Sequence, residues 1–360
     1  MLRFFRNFDW LLLLLALIIA FLGMIILKSI VPSLLTQQII WLVLGLFFFF
    51  VFSQIDYQNY RRWAWVFYFA CLIFLLITVI FGQVTRGAVR WLEIGSFRLQ
   101  PSELVKPFLI LFFAAFFSEQ EQMDLKKTLL ALLLLALPFL LIFLQPDLGS
   151  SLVVLFFWLG IVLAKGVKSK WLGAFFGFFI VLLPLIWRFL LKDYQRQRIF
   201  TFLNPQADPL GAGFNVIQSK IAIGSGQFFG RGLGRGTQSH LRFLPERHTD
   251  FIFASLAEEL GFLGGLILLA LFFCLLWRIL VLAKASRNEF AFLIGVGVFS
   301  LIFIQMLINI GMNGGLLPVT GITLPLVSYG GSSLISTFMA LGIVNSLTKG
   351  QEENQTVEIR

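Results

Sequence analysis

Charge is what this sequence has little of. Only 13% of its residues are Asp, Glu, Lys or Arg, where a soluble domain carries about a quarter. So few charges exclude an ordinary water-soluble surface. Cysteine is scarcer still: Cys71 and Cys274 are the only two, each inside an apolar run. They read as small core residues, which excludes a disulfide framework or a thiolate metal site. Histidine also occurs only twice, as His240 and His248. Without other ligands at metal spacing they cannot make a zinc site. No Walker-type phosphate loop and no strand-preceded dinucleotide turn is present.

What is present is long apolar blocks. Hydrophobic residues fill 59% of the 360 positions, and mean hydropathy is +0.91. The blocks are long enough to cross a hydrocarbon core of about 30 Å, which takes roughly 20 helical residues. Continuous apolar runs exclude an alternating β-barrel. Backbone groups in lipid must be paired internally, so the runs are helices. The expected fold is all-α and polytopic, with spans at about 10–28, 38–54, 63–82, 102–118, 128–144, 149–165, 171–190, 250–280, 291–312 and 325–346. A single membrane domain, 1–350, would precede a short polar tail, 351–360. No A-x-A-like cleavage site follows the run Trp10–Leu27, so it is expected to stay as the first span.

The formal charge of +10 is read as basic loops held on the cytoplasmic side and meeting anionic lipid, not as a nucleic-acid surface. With the N-terminus inside, Arg3, Arg6, Arg61, Arg62, Lys126, Lys127, Lys165 and Lys284 fall in cytoplasmic segments, and few basic residues fall in the short outer ones. Both termini are therefore expected in the cytoplasm. One loop breaks the pattern. Residues 191–249 are polar, glycine-rich and basic, and long loops usually carry function. Within it, Phe214–Ile223 can form a short amphipathic helix.

Five segments concentrate polar residues near span ends. In Q-P-S-E-L-V-K-P, 100–107, Pro101 suits the first helical position and Glu103 the first turn. Lys106 follows Glu103 by three residues, so the two share a face and can pair. The pair is either functional or a dipole-favoured acid with a structural partner. In Q-P-D-L-G-S, 145–150, Asp147 opens the sixth span as a cap or a functional acid. In R-F-L-P-E-R-H-T-D-F-I-F-A, 242–254, Thr249 or Asp250 can cap the eighth. Spans four, six and eight all start at the outer face in this orientation. That puts Glu103, Asp147 and Asp250 at one depth at positive helix ends, able to bind cations or, with the basic loop, a pyrophosphate. The run Gly224–Gly236 carries Arg231 and Arg235; it can cradle phosphate or be a flexible linker. Residues 309–333 are charge-free and dense in Gly, Pro, Ser and Thr. That suits buried irregular backbone or close helix packing.

Taken in order, R-G-A-V-R-W at 86–91, L-Q-P-S-E at 99–103, Q-P-D-L-G at 145–149, P-E-R-H-T-D-F-I-F-A at 245–254 and L-P-L-V-S-Y-G-G-S-S at 324–333 resemble the SEDS family of bacterial shape, elongation, division and sporulation proteins. The likeness covers nearly the whole chain. Short termini and P-E-R-H-T-D resemble its rod-shape branch more than its division branch. The resemblance implies a peptidoglycan glycosyltransferase of the bacterial cytoplasmic membrane. Such an enzyme polymerises lipid II during cell elongation, releases undecaprenyl pyrophosphate, and works beside a class B penicillin-binding protein.

On that resemblance the family's essential Asp falls on Asp250, and its Glu and Lys on Glu103 and Lys106. Asp250 is the expected catalytic residue, as a general base or as a ligand of Mg²⁺ or Mn²⁺. Glu103, Lys106 and Asp147 are expected to orient it. Arg242, Arg247, Arg231, Arg235 and Lys220 are the expected contacts of the pyrophosphate. An α-linked donor and a β-linked product imply inversion without a covalent intermediate. Two other classes compete: a transporter that flips lipid II, and a non-catalytic scaffold that activates a penicillin-binding protein.

Overall fold

The computed structural model describes residues 8–349 apart from 86–87, 95–96, 122, 168–172, 174–176, 178–180, 182–183, 212 and 287. Half of the seventh expected span and the tail 351–360 lie outside the described residues. The long apolar runs become helices: α1 Trp10–Ile30, α2 Leu35–Gln54, α4 Ala64–Phe81, α7 Leu125–Leu144, α12 Ile252–Ala285 and α13 Glu289–Asn313, with α3 Tyr57–Arg62 between α2 and α4. The fourth run folds as α5 Pro101–Leu104 and α6 Lys106–Ser118. Seven helical stretches among the described residues are long and apolar enough to cross a membrane. The shorter α8 Leu148–Ala164 and α14 Gly331–Ser346 stand at the sixth and tenth expected spans.

The tenth helix starts later than expected because 314–330 is irregular backbone. Leu324, Leu326, Val327 and Ser328 in that stretch are buried, the condition under which irregular backbone survives at membrane level. α14 packs closely along α2. A Cβ on Gly342 would meet the Phe49 carbonyl oxygen at 2.5 Å, and one on Gly45 would meet the Phe338 ring at 2.8 Å. Small residues at these points let the two backbones approach. Cys71 is buried as expected, but Cys274 is exposed on the outside of α12.

Two contacts identify the ends of the bundle. Asp9 caps α1 through Leu12 N and takes Arg278, from late α12, onto its carboxylate. Asn345, near the end of α14, clasps the Asp9 main chain. At the other end of α1, Ser29 Oγ donates to Glu259 Oε1, early in α12, at 2.7 Å. This second end carries three features the run lengths did not announce.

The first is a small antiparallel sheet, β1 Gln83–Thr85, β2 Ala88–Ile94 and β3 Phe97–Leu99, in strand order β1-β2-β3. Glu93 stands opposite Arg98 across it, with the carboxylate 2.8 Å from the guanidinium. The second is the folding of the basic loop into α9 Asp193–Leu203, α10 Phe214–Ser225 and α11 Thr237–His240. Of these, α10 realises the expected amphipathic helix.

The third is a break in α12. Gly261 has φ 70° and ψ −167°, outside helical space; a left-handed φ is open to glycine without steric cost. The segment after α10 fills the gap. Arg231 N and Gly232 N donate to the Glu258 and Glu259 carbonyls at 3.0 Å each, while Phe262 N and Leu263 N donate to Gln227 O and Phe228 O at 2.8 and 3.1 Å. The groups orphaned by the break are thus paired by one loop.

Candidate active site

Asp250 lies in the turn 245–251, before α12. Neither it nor Thr249 caps that helix. The N-cap position is Phe251, which makes no side-chain cap. The Ala254 amide is instead taken by Asn313 Oδ1, at 3.0 Å from the end of α13. The preceding backbone is bent into left-handed space at Arg242 (φ 63°) and Glu246 (φ 50°), where non-glycine residues are uncommon and strain collects at functional turns. Part of the Asp250 surface stays open to solvent, but protein atoms ring the carboxyl group. Their burial of it, with Glu246 nearby, pushes its pKa up to about 6, against the opposing pull of Arg198, a Thr249 hydrogen bond and Arg90.

Arg90 and Arg198 are thus the cations at Asp250, and sequence reasoning singled out neither. Arg90, on β2, donates through Nε to Gln145 O at 3.3 Å and through its other arm to Pro146 O. Arg198, on α9, donates to Thr320 O at 3.2 Å. Thr320 precedes Gly321, where an added Cβ would lie 3.6 Å from Asp250 Oδ2. The only hint was that Arg90 lies in the R-G-A-V-R-W motif and Arg198 in the basic loop. Their approach to Asp250 depends on the sheet and on α9.

The three expected acids share one end of the bundle but not one environment. Asp147 caps α8 through Ser150 N at 3.2 Å and also accepts from Gln100 Nε2 and Ser102 Oγ at 2.9 and 3.1 Å. Its oxygens are satisfied from within. Glu103 and Lys106 are buried and paired at 2.5 Å. Gln305 Nε2 stands 3.5 Å from Glu103, four residues before Asn309, which bonds the Asp250 carbonyl. Four residues are about one helical turn, or ~5.4 Å. The expectation of a common depth is therefore corrected: Glu103 and Lys106 lie below Asp250 as a closed pair.

The FtsW/RodA/SpoVE family, described as cell cycle proteins, matches residues 7–353. The chain belongs to the SEDS family. "Peptidoglycan glycosyltransferase MrdB" of Escherichia coli is 45% identical to this SEDS protein over 85% of this chain and 83% of its own. "Stage V sporulation protein E" of Bacillus subtilis is 39% identical over 87% and 86%. Among solved structures, a chain of a peptidoglycan synthase complex that coordinates polymerization and crosslinking aligns with TM-score 0.83 at 36% identity, covering 96% of this chain and 98% of that one. The rod shape determining protein RodA of Thermus thermophilus aligns at 0.74, with 32% identity over 96% and 97%. The SEDS chain is accordingly a multi-pass helical membrane protein.

The cation set expected for a phosphate needs revision. Arg231 is exposed and donates to Ser225 O and Thr237 Oγ1, each at 3.2 Å. Arg235 is exposed nearby. The glycine-rich run around them embraces the SEDS chain's own carboxylates. Glu258 accepts from Gln238 N, Ser239 N and Ser239 Oγ at 2.8, 3.0 and 2.7 Å. Glu259 accepts from Ser29 Oγ and Gly234 N, with His240 Nε2 at 2.9 Å. Within the run itself, Gly234 N is spent on the Glu259 carboxylate and Arg231 N and Gly232 N on the Glu258 and Glu259 carbonyls, so these amides cannot cradle a phosphate. Lys220, on α10, lies over Gly315. Arg242 and Arg247 fit the expectation better. The half-buried Arg247 has its Nε unpartnered, and burial and the like charge of Arg242 lower its pKa. An anion bound at these two like charges would offset their repulsion.

Among the described residues no group of three or more His, Cys, Asp or Glu can hold a metal ion. Asp250 has one acidic neighbour that raises its pKa, Glu246. Two carboxylates suit Mg²⁺ or Mn²⁺ only when phosphate oxygens and water complete the set.

Proposed function

We propose that the protein is the glycan-polymerising enzyme of cell elongation: a peptidoglycan glycosyltransferase acting on lipid II at the outer face of the bacterial cytoplasmic membrane. Both termini are cytoplasmic in this reading, and a class B penicillin-binding protein is the cross-linking partner. The observation that carries it is the contrast among the acids. Asp147 and Glu103 are saturated by internal donors. Asp250 keeps part of its residue surface open to solvent, and its carboxyl, whose pKa burial raises, lies in the field of Arg198 and Arg90.

A sugar hydroxyl is a poor nucleophile until its proton is drawn off. Asp250 takes that proton as the hydroxyl attacks the anomeric carbon, and the bond to the pyrophosphate breaks with inversion. Arg90 and Arg198 face Asp250, and Arg242 and Arg247 stand together three residues or more before it. These guanidiniums stabilise the charge that grows on the leaving pyrophosphate. The polyprenyl tails remain in lipid, so the reaction belongs at the membrane surface. In the alternative role Asp250 and Glu246 would hold a divalent cation that arrives with the substrate, and the cation, not a free carboxylate, would acidify the hydroxyl; the acid limb would then lie below the ordinary aspartate value.

The direct test gives purified protein lipid II in detergent, with and without its partner and with EDTA or added Mg²⁺ or Mn²⁺. Glycan strands are expected with metal, and EDTA should reduce them. No polymer under any condition would sink the enzyme reading, and full activity in EDTA would remove the cation.

The raised carboxyl also predicts a pH profile. A base must be ionised, and the Asp250 carboxyl ionises at about 6. The rate is expected to climb about tenfold per pH unit below that point and to level off above it. An acid limb near the ordinary aspartate value of about 4 would contradict this environment.

A further inference from the structure

Asn309 and Asn313 are fully buried on α13. Both side-chain amides donate to one atom, the main-chain carbonyl oxygen of Asp250, at 3.0 and 2.9 Å. Each amide has a second task. Asn309 Nδ2 donates to Ile322 O at 2.7 Å, which holds the strip beside Gly321 and the Asp250 carboxylate. Asn313 Oδ1 accepts from Ala254 N at 3.0 Å, and Asn313 Nδ2 donates to Asn309 O at 2.8 Å.

The consequence concerns what the Asp250 carboxylate does not do. Asp and Thr are favoured N-cap residues, and a carboxylate just ahead of a helix normally turns back to its free amides. Here the cap comes from another helix. The Asp250 side chain is therefore not spent on α12, and its main chain is gripped by two donors. A fully buried Asn is costly when its amide is unbonded. These two amides serve the turn that carries Asp250 and the strip beside it.

We infer that Asn309 and Asn313 are positioning residues for Asp250. They supply the helix cap in trans and pin the Asp250 carbonyl, so that the carboxylate faces substrate. The inference rests on the reading of Asp250 as the reactive carboxylate.

The test compares Asn309→Ala, Asn313→Ala, Asn313→Asp and Asp250→Asn in full-length protein, measuring kcat and KM for lipid II and the thermal midpoint. Rates are referred to the fraction that retains lipid II binding, so a partly folded variant still reports. Both alanine variants should lower kcat by about 10²-fold, the scale of a misplacement near 1 Å, with KM little changed. Asn309→Ala leaves the cap of α12 in place and removes the grip on the Asp250 carbonyl together with the bond to Ile322 O. Asn313→Asp keeps an acceptor for Ala254 N but turns a buried carboxylate oxygen, in place of the amide donor, on the Asp250 and Asn309 carbonyls; the thermal midpoint and kcat should both fall. Full kcat in Asn313→Asp, or wild-type kcat in both alanine variants, would overturn the inference. An active Asp250→Asn would overturn the reading beneath it instead, so the two failures are distinguishable.

Discussion

Replacing Asp250 by asparagine is expected to cut lipid II polymerisation by about 10²- to 10⁴-fold, the usual contribution of a positioned base. The substitution is nearly isosteric. It leaves the main-chain carbonyl in place to accept from Asn309 and Asn313, so the turn should keep its shape. What is lost is the negative charge and the capacity to take a proton. The stability consequence runs in the opposite direction. The folded-state pKa of about 6 lies above the ordinary 3.8, so the stability associated with the protonated form is lost as pH rises through about 6. At neutral pH the wild type bears that cost and the amide does not. Asp250→Asn should therefore melt no lower than wild type at pH 7 while being nearly inactive. Wild-type polymer yield from a well-folded variant would remove Asp250 from the chemistry.

Replacing Lys106 by methionine is expected to act on stability first. Lys106 is only 1% exposed, and its ammonium lies 2.5 Å from Glu103. Removing one member of such a pair leaves a buried charge without compensation, a loss of about 3–5 kcal/mol. The thermal midpoint in detergent should fall accordingly, and activity with it, because the pair braces α13 through Gln305. Removing both charges is a different perturbation. Glu103→Gln with Lys106→Met leaves no orphan ion, and such exchanges are often neutral or stabilising. The double variant is expected to regain most of the midpoint. If it also regains activity, the pair is structural. If it is stable and inactive, the charges serve the reaction.

The contrast between Asp250 and Lys106 shows how much could be read without coordinates. That both matter was legible, because ionisable residues beside apolar runs are costly and recognisable in one dimension. How each acts was not. Glu103, Asp147 and Asp250 look alike in sequence, each a carboxylate at a helix start. Only Asp147 behaves as such a residue should, capping α8 through Ser150 N. The glycine-rich run was the harder case. Its composition suits a phosphate cradle, but its amides close on the Glu259 carboxylate and on the break at Gly261.

The sequence by itself determined the all-α membrane architecture, the positions of the described spans, the amphipathic helix of the basic loop and the family. Each depends on length, apolar continuity or short motifs, which act over neighbouring residues. The tertiary structure alone decided which polar groups satisfy one another. Asn313 caps a helix whose amide lies 59 residues earlier, and Ser29 meets a carboxylate 230 residues later. A buried hydrogen bond has no sequence periodicity, because its partner is chosen by helix packing. For that reason the pattern could name Asp250, and only the packing of α12 against α13 could show why its carboxylate is left for substrate.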